Sequence, residues 1–254
     1  MGNPNFSSRP VLLLPFFNES KRFNEQYLSK LLFEISKLGW GVLLVNDGST
    51  DDTLAKLIKL SEVSGVDILD LQQNEGKSNA IRRGFTHLMD GRTLSEIPKF
   101  VGFVDCDGAF SISDICSAIT LSMRSEWSIL IGSRVQLAQS SIERSKTRHL
   151  IGRAVATLTN YFVLPNTIYD MQSGLKIFKV SEHFLDAINL PFKTRWFGDV
   201  ELYLRLCVNG PNPVYELPIA SWTEISGGKL SLRNVFEIAH ELISLIMIKN
   251  SKRC

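Results

Sequence analysis

Strand-length apolar runs alternate with helix-length amphipathic segments over the first half of the chain, and this alternation limits the possible folds more than any other feature. It predicts a Rossmann-like α/β fold, a mostly parallel sheet with helices on both faces. In such folds, ligands bind beyond the carboxyl ends of the strands. The predicted strands are 11–15, 41–45, 66–71, 100–104 and 128–132, and the predicted helices are 23–38, 53–61, 78–89 and 112–123.

The alternation stops near residue 135, and an elaborated C-terminal portion follows. Its pattern predicts a helix over 140–164, strands over 169–180 and 213–219, and a long terminal helix over 232–249. No linker, internal repeat or low-complexity segment separates this portion from the first half. We therefore expect a single domain over residues 1–254.

Polar clusters follow four of the predicted strands, and one cluster contains two carboxylates. Asp105 and Asp107 come directly after the apolar run 100–104. Side chains at i and i+2 leave a strand on the same side, so both carboxylates can reach one point. They repel each other unless a cation lies between them, and a few hard oxygen ligands suit Mg²⁺ or Mn²⁺ shared with a diphosphate. The alternative is a polar strand exit capped by aspartate.

Composition and charge disfavour several other classes of protein. The net charge of +2 is too balanced for a nucleic-acid-binding surface. The four cysteines form neither a C-x-x-C pair nor a zinc pattern, which favours a reducing, cytoplasmic location. The first residues lack a signal-peptide pattern, and no apolar stretch approaches the roughly 20 residues that span a bilayer.

The four strand-end clusters resemble motifs of family 2 glycosyltransferases, which have the GT-A fold. Pro15-Phe16-Phe17-Asn18-Glu19 is similar to that family's Pro-x-Tyr/Phe-Asn-Glu opening. Residues 46–53 resemble its Asp-Asp-Gly-Ser-x-Asp-x-Thr segment, with Asn46 in place of the first aspartate. Residues 74–77 resemble its Asn-x-Gly-Lys helix start, and Asp105-Cys106-Asp107 resembles its Asp-x-Asp metal motif.

Segments of the second half resemble the members of this family that use polyprenyl phosphate. These segments are 132–134, 170–178 and 196–201. Within that group, 222–225 and 228–230 are most similar to the dolichyl-phosphate glucosyltransferases. Those enzymes usually carry a membrane span ahead of the catalytic domain, and this sequence shows none. Three explanations are open: a trimmed segment, peripheral docking on a membrane, or a different acceptor. The terminal helix is a candidate for peripheral contact, and the alternative is a helix packed on the core.

The resemblance implies a metal-dependent, inverting glycosyltransferase that transfers a hexose from a nucleotide sugar to polyprenyl or dolichyl phosphate. Glucose is the first candidate for the hexose, and UDP-glucose is the first candidate for the donor. Residues 10–135 would bind the nucleotide sugar and 136–254 the acceptor. Asp105 and Asp107 would hold Mg²⁺ or Mn²⁺. The residues expected to bind the donor or the metal are Pro15, Phe17, Asn18, Glu19, Asp47, Gly76, Lys77, Asp105, Arg134, Gln172 and Ser173.

Catalytic or acceptor-binding roles are expected for a second set of residues. Asp107, Asp199 and Arg148 are the catalytic candidates, and Arg134, Arg148 and Arg153 are the candidates to hold an acceptor phosphate. A phosphate oxygen is already a competent nucleophile, so this reaction needs positioning and cations more than a base. The structural alternatives are a helix cap at Asp199 and a solvated basic helix face at 144–153.

Three alternative functions remain at this point. The same donor chemistry could serve a soluble glycan or polymer hydroxyl acceptor, with Asp199 or Glu201 as base. Nucleotidyl transfer to a sugar phosphate is disfavoured because the turn at 15–20 lacks a Gly-rich basic loop. A non-catalytic module that binds a nucleotide sugar would have the same strand-end motifs without turnover.

Overall fold

The computed structural model describes residues 8–93, 95–124, 126–164, 167–207, 213–225 and 232–251. The strands are β1 (Val11–Phe16), β2 (Gly41–Asp47), β3 (Asp67–Leu71), β4 (Phe100–Val104), β5 (Ile129–Ser133), β6 (Ser141–Glu143), β7 (Leu175–Lys179), β8 (Val214–Pro218) and β9 (Ser221–Thr223). The helices are α1 (Glu25–Lys37), α2 (Thr53–Ser64), α3 (Lys77–Met89), α4 (Ile112–Ser122), α5 (Lys146–Phe162), α6 (Glu182–Asn189), α7 (Gly198–Leu206) and α8 (Leu232–Ser251).

The main sheet within these residues has seven strands in the order β3-β2-β1-β4-β7-β5-β8. Strands β1 to β4 pair in parallel, as do β5 and β8, whereas β7 is antiparallel to both β4 and β5. Strands β6 and β9 form a separate parallel pair. The mostly parallel α/β fold predicted from the alternation is confirmed.

Both faces of the sheet are covered, as the continuous apolar runs of the central strands require. Along β1, Val11 and Leu13 belong to one buried cluster, which includes residues of α3, α6 and α7. Leu12 and Leu14 belong to the opposite cluster, which includes residues of α1, α2 and α4. The period-2 alternation of a strand therefore serves two cores, and the polar carboxyl ends project beyond both of them.

Pro15 lies inside the central strand β1, where a proline is normally excluded from the hydrogen-bond ladder. It is aligned with Val45 of β2, but β4 pairs only with residues 11–13 of β1. The proline therefore stands beyond the last pair with β4, where the two strands separate and an open space begins.

The second half differs from the sequence prediction in five elements, which are α5, β6, β7, α6 and β9. The predicted helix over 140–164 begins only at Lys146, because 141–143 form β6 by pairing with the distant strand β9. The predicted strand over 169–180 is restricted to β7, because the amides of Tyr169 and Asp170 donate to the Glu216 carboxylate instead of to a strand. Helix α6 was missed although Ser181 caps it and Glu182 lies in its first turn, and strand β9, with only three residues, was missed as well.

Two parts of the prediction fall on residues that are not described. The segment 228–230 lies outside the described ranges, and the side chain of Arg148 does as well, although its backbone belongs to α5. Among the helices that are described, none combines the length and apolar character needed to cross a membrane.

Candidate active site

A pocket of about 750 Å³ opens at the carboxyl ends of β1, β2 and β4. Its other wall comes from the second half of the chain, through the segment before β7 and the loop that leads into α7. The two halves therefore meet across one cavity. The lining residues include Pro15, Phe17, Glu19, Asp47, Asn74, Gly76, Lys77, Asp105, Asp107, Arg134, Gln172, Ser173, Arg195, Trp196 and Asp199.

Asp47, the last residue of β2, organises the loop that leads into α3. Its carboxylate accepts hydrogen bonds from Asn74 Nδ2 at 2.8 Å, the Glu75 amide at 2.8 Å and the Gly76 amide at 3.0 Å. Burial raises the pKa of Asp47, and the two amide hydrogen bonds oppose this rise. Since a carboxylate has about four acceptor positions, roughly one is left for a ligand.

Asn46, which replaces the aspartate of the family motif, keeps a hydrogen-bonding role. Its Nδ2 donates to Asp70 Oδ1 of β3 at 2.6 Å, while its Oδ1 accepts from the Ser49 amide at 3.4 Å. An aspartate at this position would face Asp70 as a like charge, whereas an amide can donate to it. The departure from the motif therefore suits the neighbouring strand of this chain.

Lys77 opens α3 and forms an ion pair with Asp105 at the end of β4. Desolvation acts to lower the pKa of Lys77, but the adjacent Asp105 outweighs it, so the pKa lies above its usual value. The Lys77 side chain remains half exposed to the pocket. A helix N-terminus with a lysine beside it is a favourable place for a diphosphate.

Gly174 permits the position of Asp105. The Asp105 amide donates to the Gly174 carbonyl at 3.0 Å, and the Asp105 carboxyl group packs directly on the glycine Cα. A Cβ at this position would overlap the carboxyl oxygens. The loop before β7 therefore holds Asp105, the first aspartate of the Asp-x-Asp segment, in place by direct contact.

Asp107 is the carboxylate of the pair that remains available to a cation. Its Oδ1 accepts from the Ala109 amide at 3.0 Å, and within the described residues its other oxygen has no donor. Burial raises the pKa of Asp107, and the neighbouring charge of Asp105 raises it further. A divalent cation would relieve both effects.

The donor set fits Mg²⁺ or Mn²⁺ only if a ligand completes it. No group of three or more His, Cys, Asp or Glu side chains in the described ranges could hold a metal by itself. Mg²⁺ is commonly bound by one or two carboxylates together with substrate phosphates, and Asp105 and Asp107 supply such a pair. The residues therefore match a metal that is shared with a diphosphate.

Asp199 lines the pocket from the first turn of α7 and is held by a buried lysine. Its Oδ2 accepts from Lys176 Nζ at 2.8 Å, and its Oδ1 accepts from the Val200 amide at 2.9 Å. Lys176 is fully buried in β7, and its Nζ also donates to the Ser173 carbonyl at 2.5 Å. Burial lowers the pKa of Lys176, while Asp199 opposes that shift.

Arg134 is fixed at the end of β5 by a two-point ion pair. Its Nε and Nη2 each contact the Asp170 carboxylate at 2.7 Å, and the Asp170 carboxylate also accepts the Arg134 amide at 2.9 Å. Burial acts to raise the pKa of Asp170, but the guanidinium of Arg134 outweighs it and holds the pKa below its usual range.

A smaller cavity of about 50 Å³, which we call the arginine cavity, adjoins the pocket and shares Arg134 and Gln172 with it. Arg144 and Arg153 also line it. The guanidinium carbons of Arg134 and Arg144 each lie 5.3 Å from the ring centroid of Trp222. Arg144 has no hydrogen bond or ion pair within the described residues. The cavity thus places three guanidinium groups around a space of molecular-ion size, with one carboxylate, Asp170, already paired.

Most of the residues predicted from the sequence meet in these two cavities; Asn18 does not, and the side chain of Arg148 is not described. Asn18 lies outside the lining: its φ is +52°, its amide donates to Ser49 Oγ, and its Oδ1 accepts from the Thr50 amide at 2.8 Å. It therefore joins the ends of β1 and β2. Arg148 belongs to α5, but the position of its side chain is not described.

Sequence reasoning missed Arg144, Arg195 and Asn74 as site residues. Asn74 stood inside a recognised motif, so the signal was present. Arg144 and Arg195 stood in segments where basic residues are common and had no local feature that marked them. Only the meeting of distant segments reveals their position.

The sheet order and the carboxylate pair at its central strand end define a glycosyltransferase with the GT-A fold. The family model described as glycosyl transferase family 2 matches residues 11–184. The chain therefore belongs to that family.

Known proteins resemble the chain over most of its length. The dolichyl-phosphate beta-glucosyltransferase of Saccharomyces cerevisiae is 28% identical over 270 residues, which cover 96% of this chain and 77% of that protein. A solved glucosyl-3-phosphoglycerate synthase of Mycobacterium tuberculosis, in complex with Mn²⁺, UDP-glucose and phosphoglyceric acid, has a TM-score of 0.63 at 15% identity, covering 95% of this chain and 79% of that one.

A mannosyltransferase of Pyrobaculum calidifontis, in complex with GDP-Man and Mn²⁺, has a TM-score of 0.61 at 16% identity. The match covers 96% of this chain but 65% of the mannosyltransferase chain. At these identities, the two solved structures establish the GT-A fold of the chain.

Proposed function

We propose that this glycosyltransferase transfers glucose from UDP-glucose to a polyprenyl phosphate such as dolichyl phosphate, with inversion at the sugar carbon. The observation that carries the proposal is the pair of adjoining cavities, one lined by Lys77, Asp105 and Asp107 and the other by three arginines. The name of the yeast relative supports the choice of glucose and of dolichyl phosphate.

The donor would lie along the strand ends of the first half. Asp47, Asn74 and Gly76 form the nucleoside end in this proposal, and Lys77 contacts the diphosphate at the start of α3. Mg²⁺ or Mn²⁺ bound by Asp105 and Asp107 would neutralise charge on the departing nucleoside diphosphate. The Mn²⁺ and nucleotide sugars of the two fold neighbours support this assignment.

The acceptor phosphate would occupy the arginine cavity, beside the donor pocket. Within the described residues, the Arg144 guanidinium contacts the Trp222 ring but has no hydrogen bond or ion pair, and Arg134 is held by Asp170. Guanidinium groups bind phosphate oxygens with two-point geometry. Because both oxygens of Asp199 already accept hydrogen bonds, its placement supports a role in orienting the sugar more than in removing a proton from an acceptor.

A lipid acceptor also requires an apolar surface near this cavity. Helix α5, which lines the arginine cavity on one side, exposes Leu150, Leu158, Tyr161 and Phe162 on another, with Tyr161 79% exposed. Helix α8 exposes Met247 nearby, and its Lys249 donates to the Phe162 carbonyl. We infer peripheral contact of this surface with the cytoplasmic face of a membrane.

An extraction assay tests the proposal. The protein is incubated with radiolabelled UDP-glucose, Mn²⁺ and dolichyl phosphate, and the label is partitioned between butanol and water. We expect labelled lipid, and we expect Asp107→Asn to reduce its formation at least about 100-fold, because one metal ligand and its charge are weakened. Ser61→Ala serves as a control, because Ser61 is a half-buried residue of α2 whose hydroxyl donates to the Ile58 carbonyl of the same helix and which does not line the pocket.

The alternatives give different results in the same assay. Label that stays in water and appears only when soluble glycans are supplied would replace the lipid acceptor with a hydroxyl acceptor. Binding of UDP-glucose without any turnover in the presence of Mn²⁺ and both acceptor types would indicate a non-catalytic module. Lipid glucosylation that is unchanged in Asp107→Asn would contradict the assigned metal role.

A further inference from the structure

The loop between α6 and α7 is fixed by two carboxylates from different helices. We call residues 192–197 the strap. Glu201 of α7 accepts the amides of residues 193 and 194, and Glu241 of α8 accepts those of residues 195, 196 and 197, at distances of 2.8 to 3.3 Å. Loop amides are more often left to water, so five consecutive amides bound to two charged acceptors indicate a loop held in one conformation.

The strap is also attached to the beginning of α3, which belongs to the donor side of the pocket. Ser78 Oγ donates to the Arg195 carbonyl at 3.0 Å, and Asn79 Oδ1 accepts the Phe192 amide at 3.0 Å. Gly198, just after the strap, lies so close to Ser78 that a Cβ would overlap it. These contacts fix the direction in which the Arg195 side chain leaves the backbone.

Arg195 crosses the pocket from the second half of the chain to the nucleoside end. Its Nη2 donates to Asn74 Oδ1 at 2.9 Å, and Asn74 in turn donates to Asp47. Its side chain lies over Gly76, where an added Cβ would be 3.2 Å from Arg195 Cγ. No carboxylate forms an ion pair with Arg195 within the described residues, so most of its five N–H groups and its planar face are open to the pocket.

We propose that Arg195 is a nucleobase-recognition residue, whose guanidinium plane covers the base while Asp47 and Asn74 contact the base edge. The inference rests on the proposed function, because it requires a nucleotide donor. The base is favoured over the diphosphate because Arg195 contacts Asn74 and Gly76, whereas Lys77 and Asp105 mark the diphosphate end. Arginine is suited to this role because its flat cation stacks on aromatic rings.

Calorimetric titration with UDP and with UMP, each with Mg²⁺, tests the inference. Arg195→Ala is expected to weaken both nucleotides about tenfold, the range of one stacked cation on a ring. Arg195→Lys is expected to recover little of this loss, because it restores the charge without the plane. Lys193→Ala removes the same charge from the same strap outside the pocket lining, and we expect wild-type affinities.

The outcomes separate this inference from the proposed function. Wild-type affinities in Arg195→Ala would overturn the inference and leave the donor assignment intact. A loss for UDP with none for UMP would assign Arg195 to the diphosphate and overturn the base contact. A wild-type protein that binds neither nucleotide would refute the proposed donor, and the inference with it. Thermal unfolding of each variant verifies that the strap substitutions leave the fold intact.

Discussion

Replacing Lys176 by methionine removes a buried ammonium whose partner is a carboxylate of the pocket. Lys176 has no exposed surface, and its Nζ contacts Asp199 Oδ2 at 2.8 Å, the Ser173 carbonyl at 2.5 Å and the face of Phe103 at 5.4 Å from the ring centroid. Methionine has a similar length and fills the same space, so the substitution changes the charge and hydrogen bonding more than the packing.

The magnitude follows from what Asp199 loses. Removing one partner of a fully buried ion pair costs about 3–5 kcal/mol, because the other charge is left without compensation. The Asp199 side chain is 17% exposed through the pocket, so water compensates part of this loss. Methionine also removes the desolvation cost of the buried Lys176 ammonium, and this offsets a further part of the lost stability. We expect Lys176→Met to lower the free energy of unfolding by about 2 kcal/mol, which corresponds to a decrease in Tm of roughly 4–8 °C.

Urea unfolding at pH 7, followed by tryptophan fluorescence, measures the effect. Asp199→Asn and the double variant complete a double-mutant cycle. Because the double variant leaves no unpaired charge, its loss of stability should be smaller than the sum of the two single losses by about 1 kcal/mol or more. Wild-type stability of Lys176→Met, or additivity within about 0.5 kcal/mol, would refute the argument that Lys176 compensates the burial of Asp199.

Two further predictions concern the acceptor side of the molecule. The double substitution Tyr161→Ser with Phe162→Ser should reduce co-sedimentation with anionic lipid vesicles about tenfold. The control Phe33→Ser, which removes a 61%-exposed ring from α1, should leave co-sedimentation unchanged, and equal effects would contradict a membrane surface on α5. Asp170→Asn should lower the urea midpoint at neutral pH, and the difference from wild type should disappear as the pH falls below about 4. The reason is that a carboxyl group with a depressed pKa stabilises the fold only while it is ionised. A difference in urea midpoint that is constant from pH 7 to pH 3 would contradict the ion pair with Arg134.

The first half of the fold was predictable because its signals are local. Strand β1 was placed within one residue and α3 within one residue, since apolar period and glycine punctuation act over a few positions. Strand β2 extends two residues further than its apolar run, to Asp47, because the carboxylate is satisfied by the loop before α3. That contact is not visible in the β2 sequence.

The second half was less predictable because its elements depend on distant partners. Strand β6 exists through its pairing with β9, and the loop before β7 is held out of the sheet by Glu216. A helical pattern that begins near Ser140 could not reveal either constraint. Tertiary contacts therefore overrode the local preference at both places.

The sequence by itself determined the α/β class, the succession of strands and helices along the first half of the chain, and the placement of Asp47, Asp105 and Asp107 at strand ends and of Lys77 at a helix start. These features follow from side-chain periodicity and from the geometry of parallel strands, in which every carboxyl end meets at one edge. The resemblance to family 2 glycosyltransferases could be recognised at the same stage, since its motifs are short and contiguous.

Only the tertiary structure decided how the second half completes the site. Arg195 reaches Asn74 across 121 residues of sequence, and Lys176 is buried against Asp199 on a different element. Arg134 and Arg144 meet at Trp222 through two separate segments. Such contacts depend on how packed elements approach each other, and no periodicity within either segment specifies that distance.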